Sequence, residues 1–80
     1  MTVRVLLFAR YRETAGTERF DLEVAPGSTP GSLWEEVGRL VPALRVESAP
    51  LIAVDQSYAR ADQRIERDCE VAFFPPVSGG

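Results

Sequence analysis

Residues 69–76 read CEVAFFPP, and residues 2–9 read TVRVLLFA. Successive side chains along a strand point to opposite faces. In the first stretch, Val71 and Phe73 therefore share one face while Ala72 and Phe74 share the other. In the second, Val3, Val5 and Leu7 fall on one face, with Arg4, Leu6 and Phe8 opposite. Each stretch carries apolar residues on both faces, which suits strands inside a sheet and not at its edge. Two such strands are natural neighbours at the centre of one sheet. Pro75 and Pro76 have no N–H to donate to a ladder, so pairing is expected to stop at them.

The other elements follow outward from that pair. RFDLEV, residues 19–24, alternates cleanly: Phe20, Leu22 and Val24 point inward, and Arg19, Asp21 and Glu23 point to water. RYRETAGT, residues 10–17, reads as a polar connection turning at Gly16, so the first two strands form an antiparallel pair. In APGSTPGSLWEEVGRLV, residues 25–41, Thr29 caps a helix and Pro30 fills its first position. Leu33, Trp34, Val37, Leu40 and Val41 form its apolar stripe, and Pro42 ends it near Val41. Gly31 and Gly38 weaken this helix by up to about 1 kcal/mol each relative to Ala, so its stability rests on docking against a sheet. PLIAVD, residues 50–55, is a short strand; QSYARADQRIERD, residues 56–68, holds a brief strand around Tyr58 and a turn near Asp68. One helix covering one face of a mixed sheet is an α+β roll. The order fits the β-grasp architecture of ubiquitin-like proteins, with residues 1–76 as the domain and 77–80 as a flexible tail.

Composition narrows the function. Eighty residues make one domain with one modest core and no deep catalytic cavity. The net charge of −3 offers no electrostatic footprint for nucleic acid. The apolar start, MTVRVLLFAR, is too brief to span a bilayer and lacks the small-residue cleavage site of a signal peptide. The cytosol is the expected compartment. A single cysteine, Cys69, rules out an internal disulfide framework. The chain has no histidine, hence no His-dependent triad and no His metal site. It has no phosphate-cradling glycine loop with a lysine. It has no lysine at all: nine arginines carry the positive side-chain charge, which excludes Schiff-base chemistry and any isopeptide bond onto the chain's own side chains. No bound cofactor is expected.

The chain finishes VSGG, residues 77–80. Pro75 and Pro76 set an exit direction, and Gly79 and Gly80 keep the last atoms slim and free. Val77 and Ser78 complete a tail that can thread into another protein's narrow active site. Its reactive group is the α-carboxylate of Gly80, on a carbon that no side chain crowds. A frayed terminus without a role is the plain alternative.

The chain resembles the MoaD family, the sulfur carrier subunits of molybdopterin synthase. The resemblance runs nearly end to end through VLLFARYRETAG, TPGSLWEEV, LIAVD and EVAFFPPVSGG, the last being the most specific. It implies that an ATP-using activator, MoeB-like, adenylates Gly80 and that sulfur then replaces the adenylate to give a thiocarboxylate. It implies a MoaE-like large subunit that receives the tail, supplies the catalytic residues and assembles with the carrier as a heterotetramer. Two transfers then build the dithiolene of molybdopterin from cyclic pyranopterin monophosphate. On this resemblance Gly80 carries the sulfur, and Gly79, Ser78 and Val77 make the insertion. The family usually has an Asp-Gly-Asp-type turn where this chain has Arg67-Asp68-Cys69, and more often Asn where this chain has Asp55.

A grasp fold covers only one face of its sheet, so Phe8 and Phe74 are expected to be exposed together with Tyr58, next to Pro75 and Pro76. An aromatic cluster of that kind marks a docking surface unless a loop covers it. Cys69 reads as a small residue opening the last strand. Arg10, Arg12, Glu13, Glu35 and Glu36 read as solvated surface, with the arginines able to meet acidic groups of a partner. Two other functions share the fold and the diglycine: a ThiS-like carrier serving thiamine or tRNA thiolation, and a ubiquitin-like protein modifier.

Overall fold

The computed structural model describes residues 1–46 and 48–76. Val77, Ser78, Gly79 and Gly80, to which the tail reading assigns the reactive end, lie outside the described residues. The element order is β1 (Thr2–Leu7), α1 (Arg10–Ala15), β2 (Arg19–Glu23), α2 (Pro30–Leu40), a 3-10 turn (Pro42–Val46), β3 (Leu51–Val54), β4 (Ser57–Tyr58) and β5 (Cys69–Phe74). The five strands form one sheet in the order β2-β1-β5-β3-β4. β1 and β5 run parallel, with Val5 opposite Val71 and Leu7 opposite Phe73. β2 and β3 flank them antiparallel. This is the mixed β-grasp sheet, with the two doubly apolar strands side by side at its centre.

Alternation sorts the residues of the sheet as expected. Val3, Val5, Leu7, Val71 and Phe73 are fully buried on the helix side. Leu33 and Val37 of α2 complete that core, with Leu44 of the 3-10 turn and Ile65 from the loop before β5. Trp34 lies between Tyr11 and Phe73, at centroid distances of 4.9 and 5.0 Å. Among the described residues the core buries no polar or charged side chain.

α2 begins where the sequence places it. The Thr29 hydroxyl accepts from the Ser32 N–H at 3.1 Å, and the Ser32 hydroxyl accepts from the Thr29 N–H at 3.0 Å. These reciprocal bonds satisfy amides that the first turn leaves free. Gly31 has a reason to be glycine: its N–H donates to the Ala61 carbonyl at 2.9 Å, and a Cβ would stand 3.1 Å from that oxygen. The helix thus trades some intrinsic propensity for a close approach to the loop before β5.

Two expectations need correction. Residues 10–15, expected as a polar connection turning at Gly16, form the short helix α1, closed by Gly16 at φ 75° with its N–H on the Arg12 carbonyl. Its anchor is Tyr11, fully buried. Tyr11 and Ala15, one helical turn apart, both pack on the core, but two positions in six residues are too few to show a helical period. Leu40 does not belong to the buried stripe: it is 54% exposed, at the helix terminus, beyond the edge of the sheet-facing side.

Candidate functional site: the open sheet face

The face of the sheet away from α2 carries every second residue of the central strands. From β1 come Arg4 and Leu6, with Phe8 just past its end, and from β5 come Glu70, Ala72 and Phe74. Ala53 stands opposite Ala72, Leu51 opposite Phe74 and Tyr58 opposite Ala53. Phe8 and Phe74 stack with centroids 4.5 Å apart and planes 14° from parallel. Leu6, Ala53, Ala72, Tyr58, Gln56 and Glu70 join the two rings around an apolar trough. Ala53 and Ala72 form its floor, small residues screened by larger neighbours. The ring of Tyr58 is 84% exposed and Phe8 37% exposed, so aromatic surface faces water. Such clusters are more often interaction surfaces than chance.

β5 stops at Phe74, and Pro75 and Pro76 follow, both half-buried. The exit of the chain therefore stands beside the aromatic stack. A tail leaving this point starts from a strand bonded on both sides, with proline stiffening the departure.

The β3–β4 turn sets Tyr58. Asp55 at φ 47° and Gln56 at φ 70° are both left-handed, the geometry of a type I′ hairpin turn. Asp55 suits that conformation, as would Asn, because a short polar side chain bonds locally. Its carboxylate accepts from the Glu70 N–H at 2.9 Å, and its own N–H donates to the Glu70 carbonyl at 2.8 Å. The Arg67-Asp68-Cys69 turn, by contrast, requires no left-handed residue. Asp68 instead accepts from the Thr2 N–H at 2.8 Å and ties the turn to β1.

The polar end of the same face holds Arg4, Asp21, Asp55, Asp68 and Glu70 beside Cys69. Arg4 and Asp21 approach to 3.6 Å, both largely exposed, a pair worth at most about 1 kcal/mol. Cys69 opens β5 as a free thiol, half-buried. Its pKa is raised, first by partial burial and then by the carboxylates of Asp55 and Asp68, against a smaller opposing effect of Arg67. Among the described residues no group of three or more His, Cys, Asp or Glu side chains could hold a metal ion. No helix among them is long and apolar enough to cross a membrane.

The structure thus brings Phe8, Phe74 and Tyr58 to one face, with Pro75 and Pro76 at its edge. Arg10, Arg12 and Glu13 lie on α1, with the Arg10 guanidinium 5.5 Å from the centre of the Tyr11 ring. Glu35 and Glu36 lie on α2, away from this face; Glu36 pairs with Arg39 at 3.4 Å. Sequence reading missed Leu51, which is 45% exposed beside Phe74. The alternation of LIAV, with Ile52 and Val54 inward, is the signal that would have found it.

Comparison with known proteins agrees with this architecture. A curated molybdopterin synthase sulfur carrier subunit from Arabidopsis thaliana is 34% identical over 98% of this chain and 82% of its own length. A structure described as a putative molybdopterin converting factor, subunit 1, from Pyrococcus furiosus superposes with a TM-score of 0.85 at 28% identity, covering 96% of this chain and 99% of that one. The small archaeal modifier protein 1 of Haloferax volcanii superposes with a TM-score of 0.83 at 25% identity over 95% of this chain and 98% of its own. A complex of subunits 1 and 2 of the molybdopterin-converting factor from Helicobacter pylori shares the fold, with a TM-score of 0.60 at 17% identity over the full length of both chains. The ThiS family model matches residues 5–80. The chain belongs to the ThiS family and groups within it with the MoaD proteins, the sulfur carrier subunits of molybdopterin synthase.

Proposed function

We propose that this chain carries sulfur as a thiocarboxylate on Gly80 and delivers it to cyclic pyranopterin monophosphate in molybdenum cofactor biosynthesis. The observation that carries this reading is the exit of β5: a central strand hands the chain to Pro75 and Pro76 beside the stacked rings of Phe8 and Phe74. A docking surface and a reactive tail then share one root. The full-length likeness to molybdopterin synthase sulfur carrier subunits supports the same reading.

The chemistry asks little of the carrier. A carboxylate is a poor electrophile because oxide is a poor leaving group. An oxygen of Gly80 attacks the α-phosphorus of ATP, pyrophosphate leaves, and the acyl adenylate results. Hydrosulfide-level sulfur from the donor then attacks the acyl carbon, a C–S bond forms, the C–O bond to phosphate breaks and AMP departs. The thiocarboxylate so formed is a nucleophile held covalently, so sulfide need not diffuse. ATP is used by an activating enzyme of the MoeB type. The acid and base groups come from a MoaE-like large subunit, with which the carrier forms a heterotetramer in the cytoplasm. Val77, Ser78 and Gly79 carry the reactive end into that subunit. Phe8, Phe74, Tyr58, Pro75 and Pro76 make the docking surface.

Intact mass tests this directly. After incubation with ATP, a sulfur donor and the cognate activator, one oxygen is exchanged for sulfur, localised to Gly80. An unchanged mass with a demonstrably active enzyme overturns the reading. The likeness to a small archaeal modifier favours a second reading, conjugation to target lysines. Ladders of heavier conjugates on a blot, without a discharged thiocarboxylate pool, would support that one instead. Recovery of a thiazole synthase in place of the large subunit would assign the carrier to thiamine.

A further inference from the structure

β2 closes one side of the sheet, and among the described residues no strand lies along its outer edge. The register to β1 sorts its backbone. Val24 and Met1 exchange bonds: the Val24 N–H donates to the Met1 carbonyl at 2.9 Å, and the Met1 amino group donates to the Val24 carbonyl at 2.8 Å. The Leu7 N–H donates to the Glu18 carbonyl at 2.9 Å. Bonded and unbonded pairs alternate along an antiparallel ladder. Phe20 and Leu22, opposite Val5 and Val3, therefore turn their backbone groups toward β1 as well. Arg19, Asp21 and Glu23 turn theirs outward, with the Thr17 hydroxyl donating to the Arg19 carbonyl at 3.1 Å.

An open edge is a template for another strand, and charge is a common way to blunt it. The charges here are of both signs. Arg19, Asp21 and Glu23 are exposed and share the face of Arg4, which stands opposite Asp21. Their order is self-complementary in one register. When β2 meets itself antiparallel about a two-fold axis at Asp21, Arg19 of each copy stands opposite Glu23 of the other. The outward backbone groups of positions 19, 21 and 23 then face one another as bonded pairs. Each Asp21 meets its own counterpart, and each arrives with Arg4 of its own copy at 3.6 Å. On the other face Phe20 stands opposite Leu22 of the second copy. Both are half-buried at the margin of the core, so the pairing extends that core across the axis. A register shifted by two residues sets Arg19 against Asp21, but it loses bonded pairs within the strand and draws on a carboxylate that Arg4 already holds.

We propose that β2 is a self-association edge, which pairs with β2 of a second copy about a two-fold axis at Asp21 and joins two five-stranded sheets into one. The axis runs perpendicular to the sheet, so the open faces of both copies look the same way and both Phe8–Phe74 stacks stay uncovered. Five strand spacings separate the two β5 strands, about 24 Å. One strand pair makes a small interface, of the weak and transient class.

The test reads the register through charge. Sedimentation equilibrium of the full chain at low salt should show a reversible dimer with a dissociation constant of the order of 100 µM. Arg19→Glu sets carboxylate against carboxylate in both cross-copy pairs, and Glu23→Arg sets guanidinium against guanidinium. Each variant alone should dimerise at least about tenfold more weakly than wild type. Mixed together, the two again oppose unlike charges and should form a heterodimer at least about tenfold tighter than either makes with itself, although both remain net acidic. Asp21→Pro removes the outward N–H at the axis and leaves the ladder to β1, so it should abolish the dimer with the circular dichroism unchanged. If that variant does not fold, the mixed pair still decides. A chain that is monomeric up to about 1 mM overturns the proposal and leaves the edge to a strand of another protein. A dimer that Glu23→Arg leaves intact overturns it, as does a mixture no tighter than its components.

Discussion

Phe73 and Phe74 are neighbours in the chain but stand on opposite sides of the sheet. The first is fully buried against Trp34; the second stacks on Phe8 over the open face. One step along β5 thus separates a residue of the core from one on the open face, where the proposed function places the docking surface. Phe73→Ala should lower stability by about 3–5 kcal/mol, read from urea unfolding. Phe74→Arg should leave the unfolding midpoint nearly unchanged and weaken binding to the large subunit by at least about tenfold. Severe destabilisation by Phe74→Arg would show that the outer ring belongs to the core.

The chain end makes a second, independent demand. Deleting Gly80, or adding one residue after it, should abolish sulfur transfer while the thermal unfolding curve stays that of the parent. On the proposed function the reason is positional, since the acyl carbon would have to reach the chemistry of another protein. Loss of folding in the deletion would mean that the tail is structural.

Gln56 sits at φ 70°, a conformation that disfavours any residue with a Cβ. Its turn is of the type that prefers glycine there. Gln56→Gly should therefore stabilise the domain by about 0.5–1 kcal/mol, the relief of left-handed strain exceeding the entropy glycine loses. Differential scanning calorimetry would show a rise in Tm of a few degrees, roughly 4–8 °C per kcal/mol for a domain of this size. A fall in Tm would mean that the Gln56 side chain contributes more than its backbone strain costs.

Cys69 should react sluggishly. The thiolate is the nucleophile, and a raised pKa lowers its fraction at neutral pH. Alkylation of the folded chain at pH 7.5 should be slower than in urea, and its rate should keep climbing with pH beyond the point at which the rate in urea has levelled off. Equal rates in the two states would show that neither burial nor the Asp55 and Asp68 carboxylates govern this thiol.

Much of the architecture was legible because local and global preferences coincide in it. Thr29 and Pro30 mark the start of α2, and the alternation in TVRVLLFA and CEVAFFPP sorts core from open face. That Phe8, Phe74 and Tyr58 share the open face follows from that alternation once a single covering helix is assumed. Tyr11, Leu44 and Ile65 were illegible for a common reason: each sits in a short or irregular segment with too few apolar positions to set a period, and is buried by contacts with residues distant in sequence. Periodicity cannot report a plug that has no period. Leu40 misled in the opposite sense, because a helical stripe continues in sequence after the sheet beneath it has ended.

β5 is bonded along its length to β1 on one side and to β3 on the other, and it runs parallel to β1. A pull on the C-terminal end therefore loads both ladders in shear, so their hydrogen bonds must rupture together and not one after another. A partner that grips the tail can tug on it, reposition it and withdraw it without unravelling the domain that brought it. The parallel central pair is in this sense a mechanical clamp, built at the strand from which the chain end departs.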